Sequence, residues 1–181
     1  MIKSQIRNKI IKVRNKKFDK NLKIDLDKFI SFLKIKKLNS KNVGGYYPSN
    51  YEIDDLELLV LLKKKNFKVS LPIIKKNNQM NFYNWSINDP LKINKFGIPE
   101  PLVSKIIYPD ILLVPLVAYD GHLNRLGYGG GYYDRYIEKL EKIKKVIKIG
   151  LAFSFQKISS IPINQYDKRL DFIVTEKEIL K

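Results

Sequence analysis

Ile111-Leu-Leu-Val-Pro-Leu-Val-Ala118 is followed, after a short connection, by Asn124-Arg-Leu-Gly-Tyr-Gly-Gly-Gly-Tyr-Tyr-Asp134-Arg135. The first run is continuously apolar and reads as a buried strand; residues 132–146 read as a helix. Between them Gly127, Gly129, Gly130 and Gly131 fall within five positions. Glycines at a strand-to-helix junction let backbone N–H groups turn inward, and no Cβ keeps a phosphate at a distance. The stretch has the layout of a nucleotide phosphate cradle. It is not the P-loop pattern, which ends in Gly-Lys-Ser/Thr, and the dinucleotide fingerprint has no aromatic pair at this place.

Outward from this stretch, hydrophobic periodicity predicts helices over 4–17, 25–36 and 53–65. Strands are expected over 41–48, 67–74, 80–85, 106–114, 146–153 and 170–174. Residues 88–104 carry three prolines and Gly97 and read as a loop or lid. Strands alternating with helices predict an α/β fold with a mostly parallel sheet and helices on both faces. No repeat or linker divides the chain, so residues 1–181 are taken as a single domain. In open sheets of this class ligands bind beyond the carboxyl ends of the strands. Residues 47–52, 119–131 and 153–156 are therefore expected to share one rim.

The 181 residues carry a formal charge of +17, no cysteine and one histidine, His122. That excludes disulfide and thiolate chemistry and multi-histidine metal sites. No run reaches the length of a membrane span or a signal peptide, so a soluble cytoplasmic protein is expected. The excess charge is mostly lysine spread through every element, which favours a solvated basic surface over a dedicated nucleic-acid face. No long apolar stripe is evident, and a monomer is expected.

Several side chains are candidates for chemistry. Lys3, Arg7 and Arg14 fall within roughly 40° of one another on the first helix, a basic stripe beside the buried face that can hold phosphates; taken alone, a solvated helix in a lysine-rich protein is the better reading of the stripe. Asp134 and Asp167 are candidate magnesium ligands, since Mg²⁺ takes few protein carboxylates and completes its shell with water and phosphate. Asp134 also reads as a first-turn acid favoured by the helix dipole; Asp171 is a weaker, structural acid. Glu52, after Tyr46-Tyr-Pro-Ser-Asn-Tyr51, suits the N–H groups of a heterocycle or a helix start. Tyr132, Tyr133 and Phe96 are aromatic candidates for stacking on a flat ring. Trp85 reads as core and His122 as surface.

The stretch 111–135 closely resembles the signature of the 5-formyltetrahydrofolate cyclo-ligases, also called methenyltetrahydrofolate synthetases. Lys3-x-x-x-Arg7 with Arg14, Tyr46-Tyr-Pro-Ser-Asn-Tyr-Glu-Ile53, Phe96-Gly-Ile-Pro-Glu-Pro101, Ile161-Pro-Ile-Asn-Gln-Tyr-Asp167 and Asp171-Phe-Ile-Val-Thr-Glu176 agree in order. The resemblance implies a three-layer α/β/α sandwich, ATP as co-substrate, Mg²⁺, and 5-formyltetrahydrofolate as substrate. By the same resemblance, Lys3, Arg7, Arg125, Leu126, Gly127, Tyr128, Gly129, Gly130, Gly131, Tyr132 and Tyr133 bind ATP. Tyr47, Glu52, Phe96, Gly129, Tyr132 and Tyr133 contact the folate, and Asp134 and Asp167 hold the metal. Arg125 and Asp134 carry the catalytic roles. One departure stands out: many family members have lysine where this chain has Gly130, and Arg125, Arg7 or the metal is expected to compensate.

The chemistry suits such a site. The formyl oxygen of an N5-formyl amide is a poor leaving group; phosphorylating it gives an iminium phosphate that N10 attacks, yielding 5,10-methenyltetrahydrofolate, ADP and phosphate. Positioning and charge neutralisation are then the main tasks, and no side-chain nucleophile is needed. The acidic tail of a polyglutamylated folate would also welcome a basic rim. Two other classes fit the residues less well: a different ATP-dependent ligase or kinase using the same cradle, and a basic nucleic-acid-binding module.

Overall fold

The computed structural model describes residues 2–38 and 42–181. Its frame is an eight-stranded sheet in the order β12-β11-β10-β7-β1-β2-β3-β6. The strands are β1 (Asn42–Gly44), β2 (Lys68–Ile74), β3 (Met80–Asn84), β6 (Ile106–Ile107), β7 (Ile111–Pro115), β10 (Ile147–Leu151), β11 (Phe172–Val174) and β12 (Ile179–Leu180). The five central strands, β11 to β2, pair in parallel; β12, β3 and β6 are antiparallel at the edges. Lys41, at the start of the first expected strand, lies outside the described residues.

Alternation along β7 explains the three layers. Ile111 and Leu113 face a cluster with Phe29, Leu33, Leu58 and Leu62 of α2 (Leu26–Ile35) and α3 (Leu56–Lys64). Leu112 and Val114 face the opposite cluster with Tyr136, Ile137 and Leu140 of α4 (Tyr132–Glu141). All four β7 residues are buried, as a strand covered on both faces must be. Each fully buried Leu or Ile contributes about 2 kcal/mol. The remaining helix, α1 (Lys3–Lys17), rests Ile6 and Ile10 on Val117, Ala118, Leu126 and Ile161 beyond the end of β7. The chain is thus an α/β protein with a mostly parallel central sheet. Among the described residues no helix is long and apolar enough to cross a membrane.

Four local expectations are corrected. The expected strand over 106–114 breaks at Tyr108-Pro109-Asp110. Pro109 cannot donate to a ladder, and Asp110 instead accepts from the Asn42 N–H at 2.8 Å and from Ile147 through its backbone carbonyl. The apolar run to Ala118 also divides: β8 (Ala118–Tyr119) turns away from the sheet and pairs with β9 (Arg125–Leu126) as a separate hairpin. Residues 88–104 are not a plain loop but the hairpin β4 (Leu91–Ile93) and β5 (Pro99–Pro101). Two prolines are tolerated because β5 is an edge of a two-stranded ribbon, and buried Glu100 ties it to the Ile74 N–H and to Asn94. Finally, α4 ends at Glu141, where Ile143 and Lys144 N–H both turn back onto the Leu140 carbonyl and hand the chain to β10.

Candidate active site

From β1 the chain moves through α3 to β2 on one side; from β7 it moves to β10 and β11 on the other. The order reverses between β1 and β7, and the crevice beyond the carboxyl ends of such a pair is the natural ligand site of an open α/β sheet. Residues 45–55 leave the end of β1 and residues 116–131 leave the end of β7. The expected rim forms here, and 153–156 joins it: the Gln156 side-chain amide donates to the Leu116 and Val117 carbonyls at 3.0 and 2.8 Å.

The hairpin β8–β9 aims the glycine loop. Its turn is organised by Asp120, which accepts from the His122 and Asn124 N–H groups, the Asn124 side chain and the Ile161 N–H. Burial alone would raise the Asp120 pKa, but these hydrogen bonds together hold it below the usual value. His122 is exposed, as expected. Gly129 (φ 101°) and Gly131 (φ 66°) adopt left-handed backbone that side chains resist, and Gly131 is the N-cap of α4. The loop therefore ends at a helix N-terminus, where free N–H groups and the dipole favour an anion.

Cations from α1 meet this loop. Arg7 Nε donates to the Gly127 carbonyl at 2.6 Å, and a Cβ on Gly129 would lie 3.3 Å from the Arg7 guanidinium carbon. Lys3 Nζ pairs with Asp167 at 2.5 Å. Arg125, buried in β9, pairs with Asp134 in the first turn of α4 at 2.6 Å and lies over the Tyr133 ring at 6.0 Å. The Lys168 N–H donates to the same Asp134 oxygen at 3.1 Å. Asp167 and Asp134 are thus brought to adjoining segments. Each keeps one oxygen, Oδ1 of Asp167 and Oδ2 of Asp134, with no protein hydrogen bond among the described residues.

On the other side stands the carboxylate of Glu52, only 6% exposed. The Ser49 N–H and hydroxyl donate to it at 2.8 and 3.3 Å. Burial raises its pKa, against the opposing pull of Ser49, the Tyr128 hydroxyl and the Arg14 charge. Tyr133 is half-buried with its hydroxyl inside, near Glu52 and Asp55, and burial of the hydroxyl pushes its pKa well up. Phe96, exposed at the tip of the β4–β5 hairpin, meets the edge of Tyr132 at 6.2 Å and an interplanar angle of 85°. The hydroxyls of Tyr132 and Tyr133 and Nε of Arg125 are buried without a partner atom among the described residues. Such groups are costly unless something polar meets them.

Most of the expected residues converge here. Tyr47 shares the connection that carries Glu52 but is half-buried against the α2–α3 core. The Leu126 side chain is core, packed with Ile6 and Ile10 of α1. Arg14 is corrected. It does not edge a phosphate cleft but is 1% exposed, donating to the Leu116 carbonyl at 3.2 Å and to the Tyr128 hydroxyl. The signal was available: Ile6, Ile10 and Arg14 recur every fourth residue, so the arginine shares the buried face. Arg135, which joins the Gly130 carbonyl to the Asn78 carbonyl, escaped notice because nothing in its spacing marks it; Asp55 reads in sequence as an acid suited to a helix start, but its carboxylate makes no cap and accepts the Tyr46 N–H at 3.1 Å. Asp171 is structural, as expected, accepting from the Lys148 N–H at 2.7 Å, and Trp85 is core.

Comparison with known proteins gives this arrangement a family. The sequence model of the 5-formyltetrahydrofolate cyclo-ligase family matches residues 2–176. The 5-formyltetrahydrofolate cyclo-ligase of Haemophilus influenzae is 34% identical over 140 residues, 74% of each chain. That of Mycoplasma genitalium is 31% identical over 148 residues, 81% of this chain and 79% of its own. Among solved structures, the Aquifex aeolicus 5,10-methenyltetrahydrofolate synthetase superposes with a TM-score of 0.79 at 32% identity, covering 100% of this chain and 93% of that one. The Mycoplasma pneumoniae 5,10-methenyltetrahydrofolate synthetase gives 0.77 at 25% identity, covering 98% and 100%. The α/β frame, the rim at the strand reversal and these matches agree: the chain belongs to the 5-formyltetrahydrofolate cyclo-ligase family and is a ligase of folate metabolism.

Proposed function

We propose that the enzyme closes 5-formyltetrahydrofolate to 5,10-methenyltetrahydrofolate at the expense of ATP, with Mg²⁺, in the crevice between the ends of β1 and β7. The observation that carries this reading is the glycine loop. It opens the N-terminus of α4 directly beside Arg7 and Arg125, with Glu52 and the aromatic side chains across from it.

ATP supplies the phosphoryl group that turns the formyl oxygen into a good leaving group. Lys3, Arg7, Arg125 and the N–H groups of the loop from Gly127 to Gly131 hold its phosphates and neutralise the charge that develops on transfer. Tyr132 and Tyr133 border both ligands. Phe96 closes over the flat heterocycle, and Glu52 accepts hydrogen bonds from its N–H groups. Tyr47 completes the folate side.

The donor set fits magnesium. Among the described residues no cluster of three or more metal-ligating side chains forms, but Mg²⁺ needs only one or two carboxylates and takes the rest of its shell from phosphate and water. Asp134 and Asp167 offer one unengaged oxygen each, and Mg²⁺ bound there would neutralise the transferring phosphate. Lys3 and Arg125 hold the two carboxylates in place from behind.

The test is direct. Purified protein with 5-formyltetrahydrofolate should gain the near-ultraviolet absorbance of the methenyl product only when both ATP and Mg²⁺ are present. Folded protein that binds ATP and yields no product would remove the folate half of this reading.

A further inference from the structure

Arg135 belongs to α4 and is exposed, yet its guanidinium is engaged by two distant segments. Nε donates to the Asn78 carbonyl at 3.1 Å, and Nη2 donates to the Gly130 carbonyl. The first acceptor lies in the turn between β2 and β3; the second lies in the glycine loop. A rigid planar fork suits such a bridge. The turn is itself well held. Asn77 (φ 57°) and Asn78 (φ 53°) are left-handed, which asparagine tolerates, and the Lys75 N–H closes the turn on the Gln79 carbonyl at 2.7 Å. Behind it β2 and β3 pair without a break from Ile74 with Met80 to Ser70 with Asn84. Arg135 thereby ties the glycine loop to the central sheet.

The bond to Gly130 has a directional consequence. Among the described residues no peptide bond is cis, and in a trans peptide the carbonyl and the following N–H point opposite ways. With the Gly130 carbonyl held on the guanidinium, the Gly131 N–H is turned to the other side of the loop. Neither that N–H nor those of Gly129 and Gly130 donates to a protein group among the described residues. The guanidinium also lies close against Gly131, where a Cβ would stand 3.0 Å from Nη1 and Nη2. Glycine at 131 thus leaves room for the arginine as well as for the left-handed backbone.

We propose that Arg135 is a positioning residue for the glycine loop: by pinning the Gly130 carbonyl to the β2–β3 turn, it fixes the Gly131 N–H in the direction that receives a nucleotide phosphate. The arginine acts through the loop and not by contact with the phosphate. The proposal rests on the reading of the loop as a phosphate cradle. The seat of α4 does not depend on Arg135. One turn later Lys139 Nζ reaches Asn81 Oδ1 at 2.9 Å, and Tyr136 packs on Phe82 with ring centroids 4.8 Å apart. Removing the arginine should therefore free the loop and leave the helix in place.

Arg135→Ala and Arg135→Lys are the working variants, and both should melt within about 3 °C of wild type. In Arg135→Ala the Kd for ADP, read by calorimetry, and the KM for ATP should each rise about 10-fold, with the KM for 5-formyltetrahydrofolate within about twofold of wild type. Lysine keeps the charge but has no fork to span both carbonyls, so Arg135→Lys should lose as much. An unchanged nucleotide affinity, an equal rise in the folate KM, or recovery of nucleotide affinity in Arg135→Lys, the mark of a direct charge contact, would overturn the proposal.

A second measurement needs no ligand. In the ligand-free protein the backbone amide order parameter of Gly131 should fall in Arg135→Ala, while that of Tyr136 should not. An unmoved Gly131 would overturn the proposal. If wild type binds no ADP, the cradle reading fails, while the Gly131 amide still decides whether Arg135 holds the loop.

Discussion

Arg125 and Asp134 meet at 2.6 Å between β9 and the first turn of α4, and the arginine side chain is 5% exposed against 22% for the aspartate. This pair welds the start of the glycine loop to its end. Because Arg125 is buried in β9, its loss costs stability as well as activity. Arg125→Ala leaves the Asp134 carboxylate half-buried beside Lys168 alone, at a cost of about 2 kcal/mol. Turnover per folded molecule should fall about 100-fold or more. Thermal melts and activity normalised to folded protein separate the two effects. Normal activity in the surviving folded fraction would remove Arg125 from the reaction.

Asp134 and Asp167 are each held by a cation and each keep one oxygen unengaged. If they are the metal ligands, Asp167→Asn should raise the Mg²⁺ concentration needed for half-maximal activity about 10-fold, as loss of one carboxylate ligand does. The folate KM at saturating metal should stay close to wild type. A variant with unchanged metal dependence would show Asp167 to be only the partner of Lys3.

What was legible in the sequence is what local pattern encodes. The apolar run at 111–115 and the helical spacing of α2 and α3 declare the core, because side chains buried on both faces of a sheet leave an unbroken hydrophobic signal. The glycine loop declares itself through residues that few other backbones require. The break at Pro109 and the β8–β9 hairpin were not legible. Both depend on Asp110 and Asp120 satisfying backbone N–H groups distant in the chain, and an aspartate looks the same in sequence whether it does this or faces water. Arg14 is intermediate. Its charge suggested a surface, while its place four residues after Ile10 announced a buried face.

The resemblance to the family signature leads one to expect lysine where this chain has Gly130. A Cβ at Gly130 would lie 2.8 Å from the Tyr132 ring, and that ring in turn meets Phe96. Gly130→Lys should therefore displace the aromatic pair rather than simply add a phosphate contact. The expected result is a folate KM raised about 5-fold and a stability loss of about 1 kcal/mol, with no increase in kcat. A rise in kcat at an unchanged folate KM would mean that Tyr132 gives way freely and that the cation was the missing element.

Asp55 is fully buried between β1 and α3, with one oxygen accepting the Tyr46 N–H and the other without a hydrogen-bond partner among the described residues. Burial pushes its pKa well above the usual value, and the nearby charges of Asp54 and Glu52 push the same way. The sign follows from linkage. A carboxyl raised in the folded state binds its proton more tightly there than in the unfolded chain. Its contribution to stability is fully present below the ordinary value of about 4 and is lost as pH rises through the folded value. Glu52 acts in the same direction, whereas Asp120 and Glu141, held below their usual values, act in the opposite one. The difference between wild type and Asp55→Asn isolates the one group. Asparagine keeps an oxygen for the Tyr46 N–H and cannot ionise. Relative to wild type, Asp55→Asn should therefore gain stability between about pH 5 and pH 8 in denaturant titrations. A variant that instead loses ground as pH rises would mean that Asp55 is charged in the folded protein and that a buried cation or ligand group, not a proton, compensates it.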